Sequence, residues 1–230
     1  MGAIYLIRHG QASFGKADYD QLSATGFEQS RVLGLALRER ALEVDAAWRG
    51  AMRRHRETAE TCLSAAGLAV GTETDAGFNE FDHQQVVERF KPQYSSQEVM
   101  VTEMARLPDP RRAFQQMFTE AVGRWVSGRH DDEYAESWPA FRERSMRALE
   151  SIVTSVGAQK SVLVFTSGGV VTAICQQLLQ IPDEHAFRLN WTLANCGITK
   201  VIYSDRGRYL STLNEHSHFE NGKRELVTYR

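Results

Sequence analysis

The stretch Ala3-Ile4-Tyr5-Leu6-Ile7-Arg8-His9-Gly10-Gln11 decides how the rest of the chain reads. Ala3 to Ile7 is apolar without polar alternation, as in a strand buried on both faces of a sheet. In open α/β sheets ligands lie beyond the carboxyl ends of the strands, and Arg8 and His9 fall at that place. An arginine offers a fork of N–H donors that matches phosphate oxygens, and a histidine can act as a nucleophile. Gly10 lets the backbone approach a ligand closely. Taken alone, the tripeptide reads equally well as a surface Arg-His pair after a strand.

Working outward, a loop with Gly10, Gly15 and Asp18 leads to a helix N-capped at Ser23, and Thr25 with Glu28 gives a capping-box pattern. A short strand is expected near Ala46 to Trp48. A second helix runs from about Arg53 to Ala66 and stops at Gly67, and another strand lies near Val70 to Thr74. Val99, Met100, Met104 and Leu107 recur at helical spacing, as do Phe114, Met117, Phe118, Ala121, Val122 and Trp125. Pro108 and Pro110 separate the two patterns. They mark a helical insertion over about residues 84–136. A further helix starts at Ser137 with Pro139 in its first turn. Val162 to Phe165 is a central strand running into Thr166-Ser167-Gly168-Gly169 and an apolar helix from Val170 to Leu179. Ile198–Tyr203 and Tyr209–Leu213 form a hairpin over Asp205-Arg206-Gly207. Strand–helix alternation with an antiparallel edge predicts an α/β fold, a mostly parallel sheet covered by helices.

The chain has 230 residues, suiting a single elaborated domain over 1–230. It is 42% hydrophobic with a formal net charge of -2, which argues against disorder and against an electrostatic nucleic-acid or membrane surface. Cys62, Cys175 and Cys196 are far apart, without metal or disulfide spacing, and fit a reducing compartment. With no signal-like segment or 18-residue apolar span, the expected location is cytoplasmic.

Four segments in order resemble the histidine phosphatase (phosphoglycerate-mutase-like) superfamily. They are Arg8-His9-Gly10 with Leu22-Ser23-Ala24-Thr25-Gly26, then Gly50-Ala51-Met52-Arg53-Arg54-His55-Arg56-Glu57-Thr58-Ala59, then Phe78-Asn79-Glu80, and finally Val164-Phe165-Thr166-Ser167-Gly168-Gly169-Val170. The second is similar to a family pattern Ser-x-Leu-x-Arg-Ala-x-x-Thr-Ala, which sets Arg54 on the family's second phosphate-binding arginine. The resemblance touches residues 3 to 219 and implies a three-layer fold with a helical cap that sets substrate choice. It implies that His9 is the nucleophile and forms a phosphohistidine. Arg8, Arg54, Ser167 and Gly168 would bind phosphate, and Glu80 would be the general acid. Asp82 is a rival acid, and His83 is a further candidate to orient substrate. It implies no cofactor and no metal, since the arginines and the imidazole supply the positive charge.

The pattern departs at one point. The family's last motif is usually Ser-His-Gly-Gly, and here Ser167 replaces the histidine. Three outcomes are open: Ser167 works with backbone N–H groups, another histidine (His216, His218 or one from the insertion) fills the gap, or the site binds phosphate without turning it over. His55, His130 and His185 read as solvated. The expected activity is metal-independent hydrolysis of a phosphate monoester. The alternatives are a phosphate-ligand binding or scaffolding module, and a mutase-type phosphotransferase. The expected partner is a phosphorylated small molecule or a phosphoprotein, with no nucleic acid and no membrane. A homodimer is left open.

Overall fold

Among the described residues six strands form one sheet. They are β1 (Gly2–Arg8), β2 (Ala46–Arg49), β3 (Thr72–Thr74), β4 (Ser161–Thr166), β5 (Ile198–Ser204) and β6 (Gly207–Glu215), in the order β3-β2-β4-β1-β5-β6. The computed structural model describes residues 1–13, 20–220 and 222–229, so the loop residues Gly15 and Asp18 lie outside it. The four strands from β3 to β1 pair in parallel, and β5 and β6 add an antiparallel edge. The sheet is mostly parallel and flanked by helices, as in an α/β fold.

The described residues divide into two compact units. The first holds Met1–Glu80, Arg144–Ile181 and His185–Arg230, and contains the whole sheet. Its β1 is apolar on both faces because both are covered. Ile7 packs with Leu163, Phe165 and Ile198 against Val32, Leu33, Ala59, Cys62 and Leu63. These last five lie on α1 (Ala24–Glu39) and α2 (Arg53–Ala66). By the two-residue period of a strand, Ile4 and Leu6 point to the other face. All three side chains are fully buried, and each such burial contributes about 1.5–3 kcal/mol. On the same sheet, α7 (Gly168–Leu179) packs against β1 and β6. A further helix, α8, covers Asp183–Asn190.

Local signals set the ends of these elements. Ser23 caps α1, its hydroxyl accepting from Gly26 N at 3.1 Å. The Thr25–Glu28 capping box does not form: Thr25 lies inside the helix, and Glu28 pairs with Arg31 at 2.7 Å. The α2 helix ends where Gly67 takes φ 70°, a conformation that favours glycine. Gly10 and Gly26 are required by close approach. A Cβ at Gly10 would lie 2.4 Å from Gly26 O, and one at Gly26 would lie 2.2 Å from Gln11 O. The start of α1 therefore rests directly on the backbone leaving β1.

The second unit comprises Phe81–Glu143 and Pro182–Glu184. It contains α3 (His83–Phe90), α4 (Gln97–Ala105), α5 (Pro110–Val126) and the first residues of α6 (Trp138–Val156), whose remainder belongs to the first unit. The proline-separated pair of helical patterns corresponds to α4 and α5. Ser137 caps α6, accepting from Ala140 N. Val87, Tyr94, Met104 and Met117 form one cluster. Phe81, Trp125, Trp138 and Phe141 form another, with ring centroids 4.6–5.8 Å apart. Asp82 caps α3 and His83 packs edge-on to Phe81.

The three cysteines are buried and unpaired. Burial pushes every thiol up, Cys175 and Cys196 to about 12. A buried thiol that stays protonated is inert. At pH 8 the native protein should not react with Ellman's reagent within minutes, whereas urea-unfolded protein should release three equivalents. Rapid stoichiometric reaction of the native protein would contradict this packing.

Candidate active site

Parallel pairing of β1 with β4 sets Arg8 opposite Thr166, and His9 N donates to Thr166 O at 2.8 Å. Arg8-His9-Gly10 therefore leaves the sheet beside Ser167-Gly168-Gly169. His9 is 6% exposed. Its Nδ1 donates to Gly10 O at 2.7 Å, and since a carbonyl can only accept, the hydrogen sits on Nδ1 and the Nε2 lone pair is left for chemistry. Asn195 Nδ2 donates to His9 O at 2.9 Å and fixes the backbone from the other side. Burial, then the charges of Arg54 and Arg8 and the neighbouring His55, hold His9 well below the usual histidine range. The imidazole is held toward its neutral form, the form in which a histidine nitrogen can attack.

Arg54 lies in the first turn of α2 and is nearly buried, so it is not part of a solvated basic face. Its Nη1 donates to Asp20 Oδ1 at 2.6 Å, and Asp20 Oδ2 also accepts from Arg53 N at 2.7 Å. Thr58, one turn on, donates to Arg54 O at 2.7 Å and accepts from Gly10 N at 3.0 Å. That one hydroxyl ties the helix carrying Arg54 to the loop carrying His9. Arg8 Nη1 donates to the carbonyls of Leu193 and Tyr229, which anchor its guanidinium.

Glu80 accepts from Gly169 N through Oε2 at 3.1 Å, at the start of α7. Asp82, the rival acid, spends its carboxylate on Gln85 N at 2.9 Å as the α3 cap. Gly168 opens α7 where a Cβ would come within 2.5 Å of Asn190 Oδ1 and 3.5 Å of Arg8 Nε. All six residues selected from the sequence (Arg8, His9, Arg54, Glu80, Ser167 and Gly168) belong to the first unit, on elements joined by these bonds.

The histidine assignments need correction. His55 is fully buried, not solvated. Its Nε2 lies 2.7 Å from Ser167 Oγ, and its ring centroid is 5.8 Å from that of His9. Of the histidines offered to fill the gap at Ser167, His216 donates from Nδ1 to Asn214 O at 2.6 Å, and the His218 ring lies tilted against Phe219 with centroids 4.2 Å apart. A sequence signal for His55 existed: His55, Ala59, Cys62 and Ala66 share one helical stripe, and all are buried.

His9, His55 and His218 are all held below the ordinary histidine value of 6.5, mainly by burial, with His218 at about 4. The folded state therefore binds fewer protons than the unfolded chain at mildly acid pH. The stability this confers is fully present above about pH 6.5 and is lost as pH falls toward the folded values. Each group removes about 1.4 kcal/mol per pH unit in that window. Unfolding free energies from urea titrations should fall steeply from pH 6.5 to 5, by up to about 4 kcal/mol per pH unit for the three together. A flat profile there would show that these imidazoles titrate normally.

The histidine phosphatase superfamily (branch 1) model matches residues 4–216. Among solved structures, YhfR of Bacillus stearothermophilus is 19% identical with a TM-score of 0.67, covering 95% of this chain and 99% of its own. A phosphoglycerate mutase from Bacillus anthracis is 19% identical with a TM-score of 0.66, covering 96% of each chain. The mycobacterial glucosyl-3-phosphoglycerate phosphatase is 19% identical with a TM-score of 0.62, covering 93% of this chain and 99% of its own. No curated protein sequence matches significantly. With the family's landmarks spread from β1 to the end of β6, the chain belongs to the histidine phosphatase superfamily, branch 1.

Proposed function

We propose that this protein hydrolyses a phosphate monoester through a phosphohistidine on His9. The observation that carries the reading is the state of His9. It is buried, its Nδ1 is committed to Gly10 O, and its pKa is lowered first by burial and then by the nearby charges of Arg54 and Arg8. In the first step the Nε2 lone pair forms the N–P bond while the P–O bond to the leaving group breaks. Arg8 and Arg54 balance the charge on the equatorial oxygens. Glu80 gives its proton to the leaving oxygen, a role that contributes about 10²–10⁴-fold. In the second step water attacks phosphorus, Glu80 takes its proton, and the N–P bond breaks to restore His9. The positive charge comes from the chain's own arginines, so the reaction as written calls on no metal or cofactor.

The expected substrate is a phosphorylated small molecule or a phosphoprotein. Phosphatases among the structural neighbours, the Entamoeba histolytica phosphoserine phosphatase and the glucosyl-3-phosphoglycerate enzyme, are in keeping with hydrolysis, and the Bacillus anthracis mutase keeps transfer as the second reading. The mutase reading lacks its own landmarks. An Asn soon after the first motif and a Glu-Arg-x-Tyr-Gly run after the acid segment do not stand out in this sequence. The binding-module reading rests on Ser167 alone, and an imidazole 2.7 Å from its hydroxyl weakens it. A cytoplasmic location agrees with the unpaired cysteines. Among the described residues no helix is long and apolar enough to cross a membrane.

The test is turnover of para-nitrophenyl phosphate between pH 4 and 8, with rapid-quench trapping of phosphoenzyme. Wild type should form an acid-labile phosphoenzyme that His9→Ala abolishes. Arg54→Ala should lower kcat by roughly 10²–10³-fold. Turnover that survives His9→Ala would sink the mechanism.

A further inference from the structure

Ser167 sits at the N-cap of α7, where a serine hydroxyl normally accepts from an N–H of the first turn. Here it makes no capping bond. The first-turn N–H of Gly169 is taken by Glu80 instead. The Ser167 hydroxyl is directed to His55 Nε2 at 2.7 Å, and both residues are fully buried. A buried serine that gives up its cap for an imidazole 5.8 Å from the nucleophile's ring needs a reason.

Three positions supply it together. In the family patterns, a small serine stands at the place of Gly50, an alanine at the place of His55, and a histidine at the place of Ser167. Set against those patterns, this chain carries the imidazole on α2 and the small residue at the end of β4. Gly50 makes this arrangement possible: a Cβ there would fall 2.2 Å from His55 Nδ1 and 2.9 Å from Asn79 Oδ1. The glycine is the vacated space into which the relocated ring fits.

We infer that His55 and Ser167 together form one phosphate-binding arm, His55 Nε2–H donating to Ser167 Oγ and the Ser167 hydroxyl donating to a phosphoryl oxygen, in place of the usual second histidine. The proposal rests on the reading that the phosphoryl group is held against His9. The hydrogen belongs on Nε2 because Nδ1 is buried with no hydrogen-bond partner among the described residues. An N–H stranded there would be costlier than an under-satisfied acceptor. Burial, then Arg54 and Arg49, hold His55 well below the usual histidine range, so the arm is neutral and does not repel Arg54. Two hydrogen bonds in series polarise each other and strengthen the outer one. His55 is thus a positioning residue that acts through Ser167, and Ser167 is the group that touches the phosphoryl oxygen.

A double-mutant cycle tests this on orthovanadate and inorganic phosphate binding, read by calorimetry, beside phosphoenzyme formation. Ser167→Ala and His55→Ala should each weaken binding by roughly 10–100-fold. The double variant should be no worse than the weaker single one, because both remove the same arm. His55→Gln, which keeps an N–H donor and most of the volume, should lose less than His55→Ala. This comparison separates loss of the bond from loss of packing, with thermal unfolding read on each variant. The exchange Gly50→Ser with His55→Ala and Ser167→His should recover binding to within about tenfold of wild type, as relocation of the same imidazole requires. Additive losses, or His55 variants that bind as wild type does, overturn the arm. The two readings fail separately. Coupled binding without any phosphoenzyme sinks the hydrolase and leaves the arm, and a phosphoenzyme with additive losses does the reverse.

Discussion

The site depends on one pairing, β1 beside β4 in parallel register with Arg8 opposite Thr166. Parallel strands end at the same edge, so residues more than 150 positions apart leave the sheet side by side. The bond from His9 N to Thr166 O is the last rung, and beyond it the two chains diverge into the Gly10 loop and α7. A slip of one residue would exchange the two buried faces of β1 and carry His9 away from Ser167. Ile4, Leu6 and Ile7 on one strand and Val162 to Phe165 on the other are fully buried. The register is thus fixed by hydrophobic burial well away from the chemistry it serves.

What that frame holds is electrostatically uneasy. Arg8, Arg54, His9 and His55 converge in a space where water is largely excluded, and the imidazoles respond by remaining neutral. Asp20 answers Arg54, the carbonyls of Leu193 and Tyr229 receive Arg8, and Glu80 is held on the N-terminus of α7. Arg54, Arg8 and Glu80 are each oriented by a bond to backbone or to an opposite charge. Under the proposed function, an arriving phosphoryl group would meet donors that need little reorganisation, the main source of electrostatic catalysis. The cost is borne by the folded state, since buried imidazoles kept neutral lower stability on the acid side.

Much of this was legible in the sequence, for reasons that can be named. The both-faces burial of β1, the Gly67 stop of α2 and the hairpin over Asp205-Arg206 announce themselves through period and turn chemistry. The six candidate site residues were selected because four short motifs keep their order. The eight-residue helices α3 and α8 were missed because two turns hold too few apolar positions to establish a period. His55 was misread because Arg53, Arg54 and Arg56 surround it, and a basic run suggests solvent. Phase decides otherwise: the 55/59/62/66 stripe faces the core, while Arg56 is exposed. Arg54 was open to the same error, and there the fixed distance to Thr58 outweighed composition.

Position 167, taken by itself, looks like a loss of function, and the proposed His55–Ser167 arm gives it a different reading. With His55 in place, a histidine at 167 would set a second imidazole where 2.7 Å now separates a ring nitrogen from a hydroxyl. With any side chain at position 50, the ring of His55 would collide with it at 2.2 Å. His55 is therefore acceptable only with glycine at position 50 and a small side chain at position 167, as closely packed interiors require. A motif read along the chain treats Gly50, His55 and Ser167 as three separate departures from pattern. Read in space they are a single rearrangement, with the imidazole supplied from α2 instead of from the end of β4.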